Sequence, residues 1–526
     1  MMENEIEQLI TKLQDPSIYP HAVNHVELIE THISWVFLAG EYVYKIKKPV
    51  NLGFLDFSTL EKRHQFCELE VQLNKRLAPE YYLGVIAISG SFQQPEIENN
   101  KNVIEYAVKM RQFPQQTQLD RVLAEGKLTF EYMDLLATKI ADFHQTIQVA
   151  DSDSCFGDLS HVHTPVVNCF TQIFDRLLDN SDVRRVQVLK DWSEDKFESL
   201  KEQFDLRKSQ GFVRECHGDL HLRNIAIHDD EVIAFDGIEF SEDLRWNDVM
   251  SEIAFLVMDL EDHGQFQLAS RFLNSYLELT GDYQGLSVFQ YYLVYRAIVR
   301  AMVSIIRLSQ NDINEAEAQI EKASFQNYLG LAENYITSRK PQFFITHGYS
   351  GSGKSRVSRT LMQEYPAIRI RSDVERKRLF GMAGNQRDKQ GIQQGIYGSA
   401  ISLKTYELLT KLALDVVNFG YSVIVDAAFL KKDQRQKFIE LAAENQMGLV
   451  ILSCDASVET IKQRLIKRQK KNKDVSDADI RVFEHQLENS DPLSKEERSI
   501  SVLVNAENVM EELAAYKARI KSNLNK

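Results

Sequence analysis

The sequence predicts a two-domain chain of mixed class, α+β in its N-terminal part and α/β with a parallel sheet covered by helices in its C-terminal part. Three observations predict it. The 526 residues, 44% of them hydrophobic, exceed what one core accommodates and are far too apolar for disorder. Residues 26 to 77 run as short β-prone stretches that give way to helical spacing. Beyond Pro341, apolar strand-like runs alternate with helical patterns, which calls for a parallel sheet with covering helices.

The first β-prone runs are Val26 to Thr31, Trp35 to Leu38 and Tyr42 to Lys47, with His32-Ile33-Ser34 as the first turn. Leu60, Phe66, Leu69, Leu73 and Leu77 then follow a helical spacing, with Ser58 as N-cap and Glu61 completing a capping box. Three strands followed by one helix resemble the small lobe of a kinase, here about residues 20–110. Val103 to Met110 adds a strand, and largely helical sequence from Arg111 reads as the larger lobe, to 338. Its most apolar stretch, Val288 to Ile306, contains Arg296 and Arg300, which are costly in lipid and suit a buried or cleft-lining helix, so no membrane span is expected. Ser338-Arg339-Lys340-Pro341 marks the domain boundary, giving domains 1–338 and 339–526. Ala367 to Arg371, Ser422 to Asp426 and Leu449 to Ser453 follow Phe343 to Thr346 as strands of the second domain.

A net charge of −14 disfavours a general nucleic-acid or anionic-membrane binder. Five scattered cysteines without a Cys-x-x-Cys pair, and an acidic N-terminus lacking the apolar core of a signal peptide, point to a reduced, cytoplasmic protein. Cys155, His161, His163 and Cys169 match no zinc spacing and read as packing residues.

Two phosphoryl-transfer signatures stand out. His217-Gly218-Asp219-Leu220 through Asn224 fits the kinase catalytic-loop pattern with glycine in the arginine position. In that pattern Asp219 takes the acceptor hydroxyl's proton and Asn224 offers a neutral oxygen to magnesium. Ile225 to Ile227 and Val232 to Phe235 read as a hairpin centred near Asp230, which puts Asn224 and Asp236 across from each other at its open end as a magnesium-binding pair. This loop resembles that of the aminoglycoside phosphotransferase family, which also runs His-Gly-Asp with a later Asn and then an Asp one hairpin on. The resemblance spans about residues 25 to 310. It implies a bilobal protein-kinase-like fold, with Lys45 holding ATP phosphates and Glu70 as its ion-pair partner, Lys47 and Glu68 being alternatives. It also implies an acceptor pocket bordered by Phe235 to Phe240, with Glu239 facing substrate, and by Leu244 to Asp248. One departure is plain: Thr31-His32-Ile33-Ser34 stands where kinases place a glycine-rich phosphate loop.

The second signature, Gly348-Tyr349-Ser350-Gly351-Ser352-Gly353-Lys354-Ser355, matches the phosphate-loop pattern in full, between an apolar strand and a helix. Its backbone amides and the helix N-terminus suit phosphate, Lys354 supplies a point charge and Ser355 a magnesium ligand. Asp373 and Asp426 end two strands, where a parallel sheet gathers its ligand-binding groups. Asp373 and Arg376 resemble the acceptor-activating pair of phosphate-loop kinases of the polynucleotide-kinase, zeta-toxin and gluconate-kinase type, and Asp426 resembles their magnesium-organising acid. The basic run Lys462 to Lys473 puts Arg464 and Arg468 one turn apart, like the lid arginines of those kinases.

The expected function is therefore an ATP- (or GTP-) and Mg2+-dependent phosphotransferase with two kinase-like sites acting on small-molecule hydroxyls. A nucleotide-regulated interaction protein with one active site and a nucleic-acid end-processing kinase are the alternatives.

Overall fold

Ile6, Leu9 and Ile10 of the helix Glu3–Lys12, with Leu13 just past its end, recur at helical spacing, are buried and pack on one face of the first sheet against Phe37, Tyr44 and Ile46. The sequence reading treated this segment only as acidic. The computed structural model describes residues 3–51, 55–177, 179–310, 313–337, 340–382, 398–471 and 479–505. Contacts divide the chain into two units, Met1–Asp262 with Tyr291–Ala332, and His263–Gln290 with Glu333–Lys526.

In the first unit, β1 (Val26–Glu30), β2 (Ser34–Ala39), β3 (Tyr42–Lys47), β4 (Tyr82–Ser91), β5 (Gln94–Ile97) and β6 (Val103–Arg111) form an antiparallel sheet of order β1-β2-β3-β6-β4-β5. The sequence reading had the first three strands and β6 but not β4 and β5. Alternation along β3 sends Tyr44 and Ile46 to the N-terminal helix, while Lys45 and Lys47 reach Glu70 of the helix Leu60–Asn74 on the other face. That helix is capped by Thr59, whose hydroxyl accepts from the Lys62 amide, rather than by Ser58. Helices from Leu119 to Ser209 follow, then β7 (Val213–Glu215), the hairpin of β8 (Ile225–His228) and β9 (Glu231–Ala234), and β10 (Trp246–Asp248), which pairs with β7.

The second unit holds β11 (Phe343–His347), β12 (Ala367–Arg371), β13 (Ser422–Asp426), β14 (Leu449–Asp455) and β15 (Ser501–Asn505). All are parallel, in the order β12-β13-β11-β14-β15. β15 was absent from the sequence reading. The core joins Phe344, Ile424 and Leu452 of the sheet to Val357 and Leu361 of the helix Lys354–Glu364.

The helix Phe266–Thr280, which the sequence reading assigned to the first domain, counts with the second unit because it is bonded to β12. Asn274 Oδ1 accepts from the Arg369 amide at 2.7 Å, and Glu278 pairs with Arg369 and Arg371 at 2.9 and 2.7 Å. Ser338 and Arg339 of the expected boundary lie outside the described residues, as do residues 472 and 473 of the basic run. Among the described residues no helix is long and apolar enough to cross a membrane, and the helix Leu286–Leu308 buries Arg296.

Candidate functional site

The hairpin β8-β9 turns at Asp229 and Asp230, both at positive φ, and pairs Ile225 with Ala234. Its open end carries Asn224, whose carbonyl accepts from the Phe235 amide at 3.0 Å, with Asp236 one residue beyond. Asn224 Nδ2 donates to the Asp219 carboxylate at 3.0 Å, so the expected base and one expected magnesium ligand are in direct contact. Asp236 accepts from Lys45 Nζ, and its amide donates to Tyr82 Oη at 3.0 Å.

Lys45 also donates to Glu70 Oε1 at 2.9 Å, while Lys47 donates to Glu70 Oε2 at 2.6 Å and to Glu239. Both lysines thus share Glu70, and Glu68 is not their partner. Burial raises the Glu70 carboxyl, but the two lysines outweigh it and hold the group down at about 2. Burial pushes Glu239 above its usual value despite Lys47 beside it. Glu239, expected to face substrate, is instead buried as Lys47's counter-charge.

Glu252 holds the catalytic loop, accepting from the amides of His217 at 3.0 Å and Gly218 at 2.7 Å. Asp259, two turns on, accepts from Leu222 N at 2.9 Å. The sequence reading missed both, although two acids seven residues apart in the apolar helix Val249–Asp262 were a legible signal. The loop needs glycine at 218: φ is 88°, and a Cβ there would lie 3.1 Å from the Leu244 carbonyl oxygen. His217 donates through Nε2 to the Phe235 carbonyl at 2.9 Å and accepts through Nδ1 from Asp219 N at 3.3 Å, the pattern of a neutral ring. Burial lowers its pKa accordingly. His221, 3.4 Å from Asp219, is raised because the carboxylate outweighs burial.

His144, Cys216 and Glu252 come close enough to hold a metal. The Glu252 oxygens are, however, already taken by His144 and the two loop amides. The glycine-free turn between β1 and β2 closes on itself, since Thr31 Oγ1 accepts from the amides of Ser34 at 2.9 Å and Ile33 at 3.4 Å. Ser34 is wholly buried. Two amides that a glycine-rich loop would turn to phosphate are here spent on Thr31 Oγ1, while the buried Ser34 Oγ has no hydrogen-bond partner.

In the second unit β11 leads into the phosphate loop, and Gly348, Gly351 and Gly353 all take positive φ. A Cβ at Gly348 would lie 2.6 Å from the Cys454 carbonyl and 2.8 Å from Ser352 Oγ, so only glycine permits the turn. Ser352 Oγ is buried without a hydrogen-bond partner, and Lys354 Nζ donates to the Tyr349 carbonyl at 2.8 Å. An orphaned hydroxyl and a lysine satisfied only by its own loop fit a cradle for phosphate oxygens. Burial pulls Lys354 below its usual pKa. Asp426 and Asp373 oppose that pull and Arg468 adds to it, so all three lie within electrostatic reach of the loop lysine.

Asp426 ends β13 in register with Arg371 of β12 and accepts from Ser358 Oγ at 2.9 Å. Ser355 opens the helix Lys354–Glu364, and its carbonyl accepts from Ser358 Oγ at 3.3 Å. Ser358 Oγ thus lies between the Ser355 backbone carbonyl and the Asp426 carboxylate. Asp373 lies in the first turn of the helix Ser372–Arg378, and Arg376 of the same helix reaches Ser402 at 3.4 Å. Arg464 donates to the carbonyls of Gly351 at 3.4 Å and Ser352 at 3.3 Å, directly on the loop. Gln486, which sequence reasoning missed, accepts from Ser350 N at 2.8 Å and donates to Ser350 Oγ at 3.1 Å. Tyr349 packs edge-on against Phe483, which shares the helix Ile480–Glu488 with Gln486, so the loop is anchored from outside.

Residues 343–493 match the model of a family described as an AAA domain. An uncharacterized protein of Mycobacterium tuberculosis is 29% identical over 458 residues, covering 86% of this chain and 88% of its own. Among solved structures, the GDP complex of aminoglycoside 2'-phosphotransferase-IIIa is similar at 13% identity and a TM-score of 0.38, over 62% of this chain and 99% of its own. A gluconokinase from Sinorhizobium meliloti is similar at 20% identity and a TM-score of 0.26, over 36% of this chain and 98% of its own.

Proposed function

We propose that the chain is an ATP- and magnesium-dependent phosphotransferase that phosphorylates hydroxyl groups of small molecules, with the phosphate-loop site as its principal catalytic centre. The observation that carries this reading is the loop itself: Ser352 Oγ buried and unpartnered, Lys354 satisfied by its own loop, and Arg464 bonded to the loop carbonyls of Gly351 and Ser352. Bound magnesium would supply charge neutralisation on phosphate oxygens, and Ser355 and Asp426 would hold it. Asp373 orients the acceptor hydroxyl and takes its proton, and Arg376 of the same helix steadies the acceptor. Lys354, Arg464 and Arg468 carry the positive charge that offsets charge developing on the transferred group.

The first unit has the parts of a second such site: Asp219 as base, Asn224 and Asp236 for a cation, and Lys45 with Glu70 for phosphates. A second reading, favoured by the glycine-free Thr31–Ser34 turn that spends the Ile33 and Ser34 amides on Thr31 Oγ1, is that this site senses nucleotide rather than transferring phosphate.

The test uses γ-labelled ATP with a panel of sugars, nucleosides and amino alcohols, comparing the full chain with Asp219→Ala and Lys354→Ala. Label transfer lost in Lys354→Ala supports the principal site, and transfer surviving it for every acceptor refutes it. Transfer unaffected by Asp219→Ala, with nucleotide still bound by a Lys354→Ala chain, selects the sensing role for the first unit.

A further inference from the structure

β12 is the edge strand of the parallel sheet, and it leads directly into the two-turn helix that carries Asp373. An open strand edge leaves amides and carbonyls unpaired, and a seven-residue helix does not hold itself. Both needs are met by a segment far upstream in the chain. Asn274 presents its carboxamide to the edge as a neighbouring strand would present a peptide: Oδ1 accepts from Arg369 N at 2.7 Å and Nδ2 donates to the Ala367 carbonyl at 3.1 Å. One turn on, Glu278 takes Arg369 at 2.9 Å and Arg371 at 2.7 Å, the second at the N-cap of the Asp373 helix.

The far end of that helix is held by the same segment. Arg378 donates to the Glu278 carbonyl and pairs with Glu375, which accepts from Tyr283 Oη at 3.4 Å. Gly281 sits beneath Arg378, at a φ of 76°, and a Cβ there would come within 2.7 Å of Arg378 Nε. Strand, N-cap and final turn are thus fixed by one stretch, residues 274 to 283, on either side of Asp373 and Arg376.

We propose that Asn274 and Glu278 are positioning residues of the phosphate-loop site: they set the place of the Asp373 carboxylate by clasping β12 and the helix Ser372–Arg378. The inference rests on the reading of Asp373 as the acceptor-side base. Plain edge cover would affect stability alone. Positioning affects turnover at constant nucleotide affinity, because an ångström of misplacement at a reacting group costs far more in rate than in binding.

The test uses the full chain carrying Lys45→Ala, so that nucleotide signals report on the phosphate loop. Affinity is read with a fluorescent ATP analogue and magnesium, turnover by release of labelled phosphate from γ-labelled ATP with water as acceptor, and local opening by hydrogen exchange. Asn274→Ala and Glu278→Gln are expected to lower kcat roughly tenfold with nucleotide Kd changed less than about twofold, and to raise exchange in residues 367–378. Glu278→Asp should recover part of the rate. Should Glu278→Gln fail to fold, Asn274→Ala, which keeps every ion pair, carries the test. Raised exchange with unchanged kcat overturns the proposal in favour of edge cover, and a parallel loss of affinity and kcat overturns it in favour of general unfolding. If Asp373→Asn itself leaves phosphate release unchanged, the reading of Asp373 falls and the proposal with it. If Asp373→Asn is slow while both clasp variants run at the full rate, only the proposal falls.

Discussion

Glu70 accepts one lysine on each oxygen, so neutralising it leaves two buried lysines short of a shared counter-charge. Glu70→Gln should therefore destabilise the first unit by about 3 kcal/mol in urea unfolding at neutral pH, a magnitude typical of breaking a buried pair from one side. The sign of the pH dependence follows from the lowered carboxyl: its contribution is fully present above its usual value of 4.5 and is lost as pH falls toward 2. The difference between wild type and Glu70→Gln should accordingly shrink on acidification from pH 6 to pH 3. His221 runs the other way, because Asp219 raises it. The stability it contributes is present below about 6.5 and is lost as pH rises through its folded value, so its ring, followed by NMR, should titrate above that of an exposed histidine.

Two turns show how elements place these residues. The β8-β9 turn puts two aspartates at positive φ, a geometry that Asn-Gly fits with less strain. Replacing Asp229 and Asp230 by Asn and Gly should stabilise the first unit by roughly 0.5–1 kcal/mol without changing label transfer. At the phosphate loop the reverse holds: Gly348→Ala forces a Cβ onto the Cys454 carbonyl, and nucleotide binding to a Lys45→Ala, Gly348→Ala chain should be lost in equilibrium titration. Elements of this kind were legible, because glycine spacing, turn chemistry and hydrophobic period are local. The loop near Lys354 and the hairpin beside Asp236 are both found where the sequence puts them. What lay beyond reach was partnership across sequence. Nothing local says that Lys47 joins Lys45 on Glu70, that Glu239 is spent on Lys47, or that Gln486 braces Ser350. β5, Gln94–Ile97, is polar and announces itself only through its neighbour in the sheet, whereas the apolar runs Tyr82 to Ile88 of β4 and Val502 to Val504 of β15 were legible signals that went unread.

At the scale of the molecule, the sequence suggested a cut at 338/339, whereas the contacts assign His263–Gln290 to the unit that begins again at Glu333. Residues 339–526 made alone would lack Asn274 and Glu278 and leave β12 as an open edge. That fragment should exchange its 367–371 amides quickly and self-associate in sedimentation, whereas the full chain should do neither. The same interleaving has a consequence in time. The helix Phe266–Thr280, with Leu268, Phe272 and Leu277 buried in the folded chain, is synthesised about 90 residues before β12 is complete. At ribosomal speeds of about 5–20 residues per second, that apolar stripe waits several seconds for its partner. A nascent chain stalled after residue 340 should therefore be a better chaperone client than the finished protein, and the interval sets a window during synthesis in which this chain is most exposed to misassembly.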